Sequence, residues 1–257
     1  MATPIPAAQS PATQVPAAQT PVTHTRASLV SAAFVKLTDT LVGEYDVLDV
    51  LHTLVEQCVE LLDATAAGLL LADPSGALQV VASTSEESYL VEVLQQQAGA
   101  GPCVDCYLSG TVVTLSDIAG FGDTYPDFAA AALSQGFHSV HAIPMRVRNR
   151  AIGALNLFRT ETGDVTPEDA AIGQALADVA TISILQESTV REDAIVNEQL
   201  QRALNSRILI EQAKGVVAQL STVDMDEAFK RLRADARANH QTMRESAENV
   251  VNRRITL

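Results

Sequence analysis

Two helix-start signatures near the C-terminus constrain this chain more than anything before them. Asp224 is followed three residues later by Glu227, and Thr242 by Glu245. A capping acceptor with an acid at the third helical position satisfies the free N–H groups of a helix's first turn. Small apolar residues repeat at helical spacing around these starts. They are Ala203, Ile210, Ala213, Val217 and Leu220, then Ala228, Phe229, Leu232 and Ala236, then Met243, Ala247, Val250 and Val251. Three short helices with such faces bury them against one another. Residues 199–257 are therefore expected to form an all-α three-helix domain. Gly215 costs about 1 kcal/mol in a helix interior; close approach by another helix or by a ligand backbone would account for it.

This tract is also the one basic region of an acidic chain. Residues 200–257 hold 10 Lys+Arg against 7 Asp+Glu, whereas residues 1–199 hold 7 against 24. A net charge of −14 excludes a general nucleic-acid binder and a protein drawn to anionic membranes. Any nucleic-acid contact must be local to the C-terminal domain. There, Arg207, Glu211 and Lys214 share one stripe of the first helix, and Lys230, Arg233 and Arg237 share one stripe of the second. Such stripes are solvated faces or a nucleic-acid surface, and their contrast with the acidic carrier favours the surface.

Upstream, residues 1–26 repeat PAAQ and hold five of the ten prolines, the composition of a disordered tail. With 47% hydrophobic residues, 4% aromatics and no Trp, the core must be aliphatic. Helices are expected from Ser28 to about Gly43, with Leu29, Ala32, Ala33, Val35 and Leu37 at its apolar positions, and from Asp46 through Leu62. Ala66–Ala72 and Leu78–Ala82 flank the turn DPSGAL as a hairpin, and Ser139–Arg148 and Ala151–Arg159 form a second hairpin about Asn149-Arg150. Ser85 opens a helix to Ala98. The glycine-rich GAGPC enters another short helix. Thr111–Leu115 is a strand, Asp117 to Asp127 a loop, and Phe128–Gln135 a helix ended by Gly136. Thr166-Pro167 starts a helix whose pattern continues to about Leu220. Helices flanking hairpin strands make residues 28–187 an α+β domain. A helical connector over 188–198 joins it to residues 199–257, and a helix this long is a connector, a dimer seam or both.

Three cysteines fit a reducing cytoplasm, and the absence of a basic segment leading an apolar stretch argues against a secretory leader. Cys58 lies on an apolar helical face and is expected in the core. Cys103 and Cys106 can pack as free thiols, act as a redox pair, or, with His138 and His141, offer metal ligands. Packed thiols are the simplest reading, so no metal is assigned. Arg146, Arg148 and Arg150 alternate along a strand and so share one face, a solvated edge by default or else a grip on an acidic surface elsewhere. Neither the acids Asp117, Asp123 and Asp127 nor any nucleophile or phosphate-binding motif forms a catalytic set, so no catalytic residue is expected.

Three stretches resemble GAF domains over about residues 40–187: GPC at Gly101–Cys103, SVHAIPMRVRNRAIGALNLF at Ser139–Phe158, and DVTPEDAAIGQALADVA at Asp164–Ala180. The resemblance implies an antiparallel sheet flanked by helices, a sensor role and frequent dimerisation. It also implies a ligand pocket lined by Cys103, Cys106, Tyr107, Phe121, Tyr125, Phe128 and His141, holding a small molecule it does not identify. From Gln199 to Val251 the pattern ALNSRILIEQAKGVVAQL…DEAFKRLRADARANHQTMRESAENVV resembles ANTAR domains. That resemblance implies binding to paired RNA hairpins in nascent transcripts and prevention of termination, with Arg207, Lys214 and Arg233, then Arg237 and Asn239, as RNA contacts. The whole is similar to the GAF–ANTAR regulators of actinobacteria, without the phosphoacceptor receiver domain of other ANTAR proteins. A homodimer would pair two RNA-binding domains. The alternatives are a thiol enzyme like the GAF-type free methionine sulfoxide reductases, or a dimerising sensor scaffold without an RNA role.

Overall fold

The computed structural model describes residues 25–39, 47–148, 150–186, 192–255 and 257. Its centre is a five-stranded antiparallel sheet in the order β2-β1-β5-β4-β3. The strands are β1 (Ala66–Ala72), β2 (Leu78–Ser83), β3 (Val113–Leu115), β4 (Ser139–Val147) and β5 (Arg150–Arg159). Both expected hairpins are present. Asn149 of the second turn lies outside the described residues. Strand β1 is buried at every residue, and β5 at all but its two ends. These strands read as continuous apolar runs because both sheet faces are covered. One face carries α2 (Val47–Leu61) and α6 (Pro167–Gln186). The other carries α3 (Glu86–Ala98), α4 (Pro102–Ser109) and α5 (Pro126–Ser134).

Local signals set the helix ends. The Ser85 side chain accepts from the Ser88 N–H, and Thr166 Oγ1 accepts from the Asp169 N–H at 3.1 Å. Gly136 follows α5 at φ 82°, a conformation that favours glycine. The expected loop after Asp117 contains a short 3₁₀ turn, Ile118–Phe121, too brief to leave a periodic trace.

Helix α1 (Arg26–Asp39) corrects two expectations. Arg26 is not part of the tail: it opens the helix and pairs with Asp169 at the start of α6. Residues 1–24, the rest of the expected tail, lie outside the described residues. The buried face of α1 holds Ala33 and Leu37, while Leu29 and Val35 are 42% and 57% exposed. The helix touches α2 and α6 along a narrow edge, so only part of its apolar pattern is covered.

Helix α2 is buried on nearly every side because it lies between two layers. The sheet and α6 cover one side, and α7 (Glu192–Ser221) packs on the other. The helical pattern expected to run unbroken to Leu220 is described as α6 and α7; residues 187–191 lie outside the described residues. Because α7 returns against α2 and β2, the C-terminal domain rests on the sheet domain. One apolar core runs from Leu69, Leu71 and Leu155 through α2 into Ile210, Ala213, Leu232 and Val250.

The three-helix domain is completed by α8 (Met225–Ala238) and α9 (Met243–Val251). Thr242 and Glu245 form the full reciprocal box. Asp224 caps α8 through the Glu227 N–H at 2.7 Å, but the Glu227 carboxylate bonds Arg231, so this start is a simple cap. Leu220, expected in the core, is 62% exposed because it falls on the outer side of the last turn of α7. Gly215 is exposed, and a Cβ there would meet nothing within 4 Å, so helix approach does not explain it.

Gly153, in the Gly-Ala-Leu-Asn-Leu run of β5, is the glycine on which the sheet depends. A Cβ there would lie 2.2 Å from the Leu70 carbonyl oxygen. Gly153→Ala is expected to lower stability by roughly 2–4 kcal/mol, read as a fall in the urea midpoint; an unchanged midpoint contradicts the register of β1 and β5.

Candidate functional site

The site is a seam between two complementary stripes. On α2, Asp49, His52 and Glu56 follow i, i+3, i+7 spacing and so share a face. Facing them are Phe229 and Arg233 of α8 and the start of α9. Glu56 forms an ion pair with Arg233. The His52 ring lies 5.0 Å from that of Phe229. The Asp49 carboxylate accepts from the Met243 N–H at 3.3 Å, where the free N–H groups of α9 favour a negative charge.

A second patch continues the seam over the start of α3. Lys214 Nζ donates to Glu86 at 2.5 Å and also reaches Glu211 of its own helix. The lysine side chain is 7% exposed. The Arg207 guanidinium lies over the Tyr89 ring at 4.5 Å, a cation–π contact. Of the five candidate RNA contacts, Arg207, Lys214 and Arg233 therefore face the sheet domain. Arg237 and Asn239 remain exposed, Asn239 with its amide donating to Asp235. Three cations of the three-helix domain act on His52. Burial first, then the charges of Arg233, Arg207 and Lys214, push its pKa down to about 3, so the ring is neutral at ordinary pH.

Across the sheet, the expected pocket residues separate. Cys103, Cys106 and Tyr107 of α4 pack with Leu70, Val80, Ala142 and Ala154. Phe128, Phe121 and Tyr125 belong to a neighbouring cluster with Leu115, Ile118 and Phe158. One hydrogen bond, from the Tyr125 hydroxyl to Asp105 at 2.6 Å, ties the two groups together. His141 is on the other face. It is paired with Leu157, which belongs to the α2/α6 core, while its neighbour Ala142 sits with the cysteines. Strand alternation puts the two on opposite sides, and His141 Nδ1 bonds Thr114 at 2.7 Å. The histidine is thus removed from the pocket set.

The sheet face under α3 holds a residue that the pattern did not mark. Glu92 is fully buried. Asn156 donates to it at 2.7 Å and Gln95 at 3.2 Å, while the Gln95 carbonyl accepts from the Cys103 N–H. Gly68 leaves the room: a Cβ there would come 2.5 Å from Glu92 Oε1. Burial raises the Glu92 pKa to about 8, against the opposing effects of the Asn156 bond and the Arg207 charge. The carboxyl is therefore mostly protonated at neutral pH, and a cation of the three-helix domain acts on it across the seam.

The family model for the GAF domain matches residues 44–184, and that for the ANTAR domain matches residues 198–251. The chain belongs to the GAF domain family and is a GAF–ANTAR protein. Among solved structures, one titled as the structure of the GAF domain shares 14% identity, covering 63% of this chain and 90% of that one, with a TM-score of 0.51. The GAF domain of a phosphoenolpyruvate-protein phosphotransferase from Coxiella burnetii shares 18%, covering 62% and 95%, with a TM-score of 0.48. A free methionine-R-sulfoxide reductase from Neisseria meningitidis in complex with its substrate shares 16%, covering 70% and 91%, with a TM-score of 0.46. At 14% identity the first of these likenesses concerns the fold alone. No curated protein matches the chain.

A GAF domain followed by an ANTAR domain is the architecture of a signal-responsive regulator. The thiols agree with that. Cys58, Cys103 and Cys106 are free and buried. Burial pushes the Cys58 and Cys106 pKa up to about 12 and that of Cys103 well above its ordinary value. A protonated, covered thiol is a poor nucleophile and a poor metal ligand. Among the described residues no group of three or more His, Cys, Asp or Glu could hold a metal ion, and no helix is long and apolar enough to cross a membrane.

Sequence reasoning missed Asp49, His52, Glu56, Glu86 and Glu92. The first three had a readable signal, a polar stripe on an otherwise apolar helix. Glu92 sets a pH test. Between the ordinary value of 4.5 and about 8, the folded GAF domain holds a proton that the unfolded chain lacks. Its contribution to stability is fully present below the lower value and lost as pH rises through the upper one. Glu92→Gln is expected to gain stability over the parent between pH 5 and pH 8.5, on the order of several kcal/mol. Parallel urea-midpoint profiles for the two proteins contradict this.

Proposed function

We propose that this chain is a transcription antiterminator that binds paired RNA hairpins, and that its GAF domain controls binding by covering the RNA-contacting face of the ANTAR domain. The observation that carries this reading is the seam. Arg207, Lys214 and Arg233, the ANTAR side chains best suited to RNA, meet Tyr89, Glu86 and Glu56 of the GAF domain. An arginine or lysine bound to a carboxylate cannot also hold a phosphate or a loop base at full strength. Glu56 and Glu86 thus stand where RNA phosphates would stand.

A signal then acts by changing the balance between two arrangements. In the closed one, Lys214 is desolvated and paired. In the open one, its ammonium is free for RNA. A ligand held by the GAF domain, with Glu92, Cys103 and Asn156 at the sheet face, would open the seam by binding the open arrangement more tightly. Two such chains, paired as a homodimer, would present two ANTAR domains to two hairpins. The buried thiols count against the sulfoxide-reductase alternative, and the cationic face counts against a scaffold without RNA.

The test is binding of a tandem-hairpin RNA by the full chain and its variants. Glu56→Gln with Glu86→Gln removes the competing carboxylates and is expected to bind at least tenfold more tightly. Removing one partner of a buried pair costs about 3–5 kcal/mol in the closed form. Lys214→Ala and Arg233→Ala, each assayed in that double-Gln background, are expected to weaken binding and to reduce its salt dependence. RNA binding by the parent that the double-Gln change leaves unaltered overturns the covering role. Binding that survives loss of both cations overturns the RNA assignment.

A further inference from the structure

Beside the seam lies a cavity of about 250 Å³ that the ion pairs do not fill. Its walls come from both domains: Lys36 of α1, Asp49 and His52 of α2, and Phe229, Arg233 and Arg237 of α8. The charges on these walls do not balance. Arg233 has Glu56, and Asp49 is committed to the start of α9. Neither Lys36 nor Arg237 meets a carboxylate among the described side chains. His52 is neutral there and can give or take a hydrogen bond. Arg237 lies close enough that its charge, after burial, lowers the Arg233 pKa to about 10, against the opposing charge of Asp49. Like charges gathered around a cavity repel, and a bound anion removes that cost.

We infer that this cleft binds a small phosphate-bearing dianion, held by Lys36 from one domain and by Arg237 from the other, with Arg233 adding its charge while it stays paired with Glu56. The donors converge from separate helices. That suits a tetrahedral phosphoryl group, whose oxygens point in several directions, better than a planar carboxylate. The volume exceeds that of inorganic phosphate and leaves room for a small organic group on a phosphate ester; the Phe229 face supplies its apolar wall. Because the two sides of the site belong to different domains, the dianion binds the closed arrangement alone. It therefore holds the GAF domain over the ANTAR face, and this consequence, though not the binding itself, rests on the covering role proposed above. By linkage, RNA and the dianion weaken each other's affinity by the same factor.

Inorganic phosphate is the probe. Thermal unfolding of the full chain is followed while phosphate replaces chloride at constant ionic strength, with malonate as a planar-carboxylate comparison. A saturable rise in Tm with phosphate, larger than with malonate, is expected. Lys36→Ala with Arg237→Ala is expected to weaken the apparent Kd about tenfold or more, while Arg244→Ala, an exposed arginine of α9 outside the cleft, leaves it unchanged. No difference between phosphate and chloride, or a response that persists without Lys36 and Arg237, overturns the site. An equal response to malonate overturns the phosphoryl assignment. A chain that binds phosphate through these residues, yet binds hairpin RNA equally with and without it, keeps the site and loses the regulatory consequence.

Discussion

The arrangement of this molecule depends on the ammonium of Lys214. Its side chain is 7% exposed and sits between Glu86 of one domain and Glu211 of its own helix. An isolated ammonium in such a place costs several kcal/mol, and the flanking carboxylates offset that cost only while the two domains stay together. Glu86 also lies in the first turn of α3, where a negative charge is favoured before any lysine arrives. The acid is thus preorganised to receive the lysine. A pair of this kind contributes little net stability and much conditionality, as a contact that opens toward a competing anion requires.

The rest of the seam follows from α2. A helix buried on both sides has to satisfy two partners at once. Leu48, Leu51, Leu54 and Val55 bury apolar surface, and the stripe of Asp49, His52 and Glu56 meets α8 and α9. The helix links the sheet core to the ANTAR core. On the other side of the seam, Arg207 lies over Tyr89 of α3, and its charge is felt at Glu92 three residues further along. Through Asn156, Gln95 and the Cys103 N–H, Glu92 connects that helix to the sheet and to α4. A ligand or proton that alters this cluster therefore has a physical route to Arg207. Loss of Arg207 from the seam in turn raises the Glu92 pKa further.

Much of this was legible in the sequence where the signal is local. The Thr242–Glu245 box, the Ser85 and Thr166 starts and the β1–β2 turn each depend on a few adjacent residues, and they formed as expected. Long-range choices were harder to read. His141 and Ala142 differ by one position, and only the pairing of β4 with β5 decides which faces α4. The apolar residues of α1 gave a helix but not the edge it buries, because that depends on where α6 lies. The cationic stripes of the ANTAR domain were visible, but the covering of Arg207, Lys214 and Arg233 by the sheet domain was not. Glu56 and Glu86 are among 24 acids of residues 1–199, and nothing local distinguishes them until α7 folds back onto α2. Glu92 was hidden for a related reason: its partner Asn156 and the space left by Gly68 lie on strands brought to it by the sheet.

Amide hydrogen exchange on the full chain, with and without tandem-hairpin RNA, tests the covering role most directly. If the GAF domain covers the RNA face, RNA must separate the seam as it binds. Protection should then rise in α7 and α8 and fall over Asp49–Glu56 of α2 and the first turn of α3, which lose their partners. RNA binding that leaves α2 and α3 as protected as in the free chain would mean that RNA uses another surface, and would contradict the account.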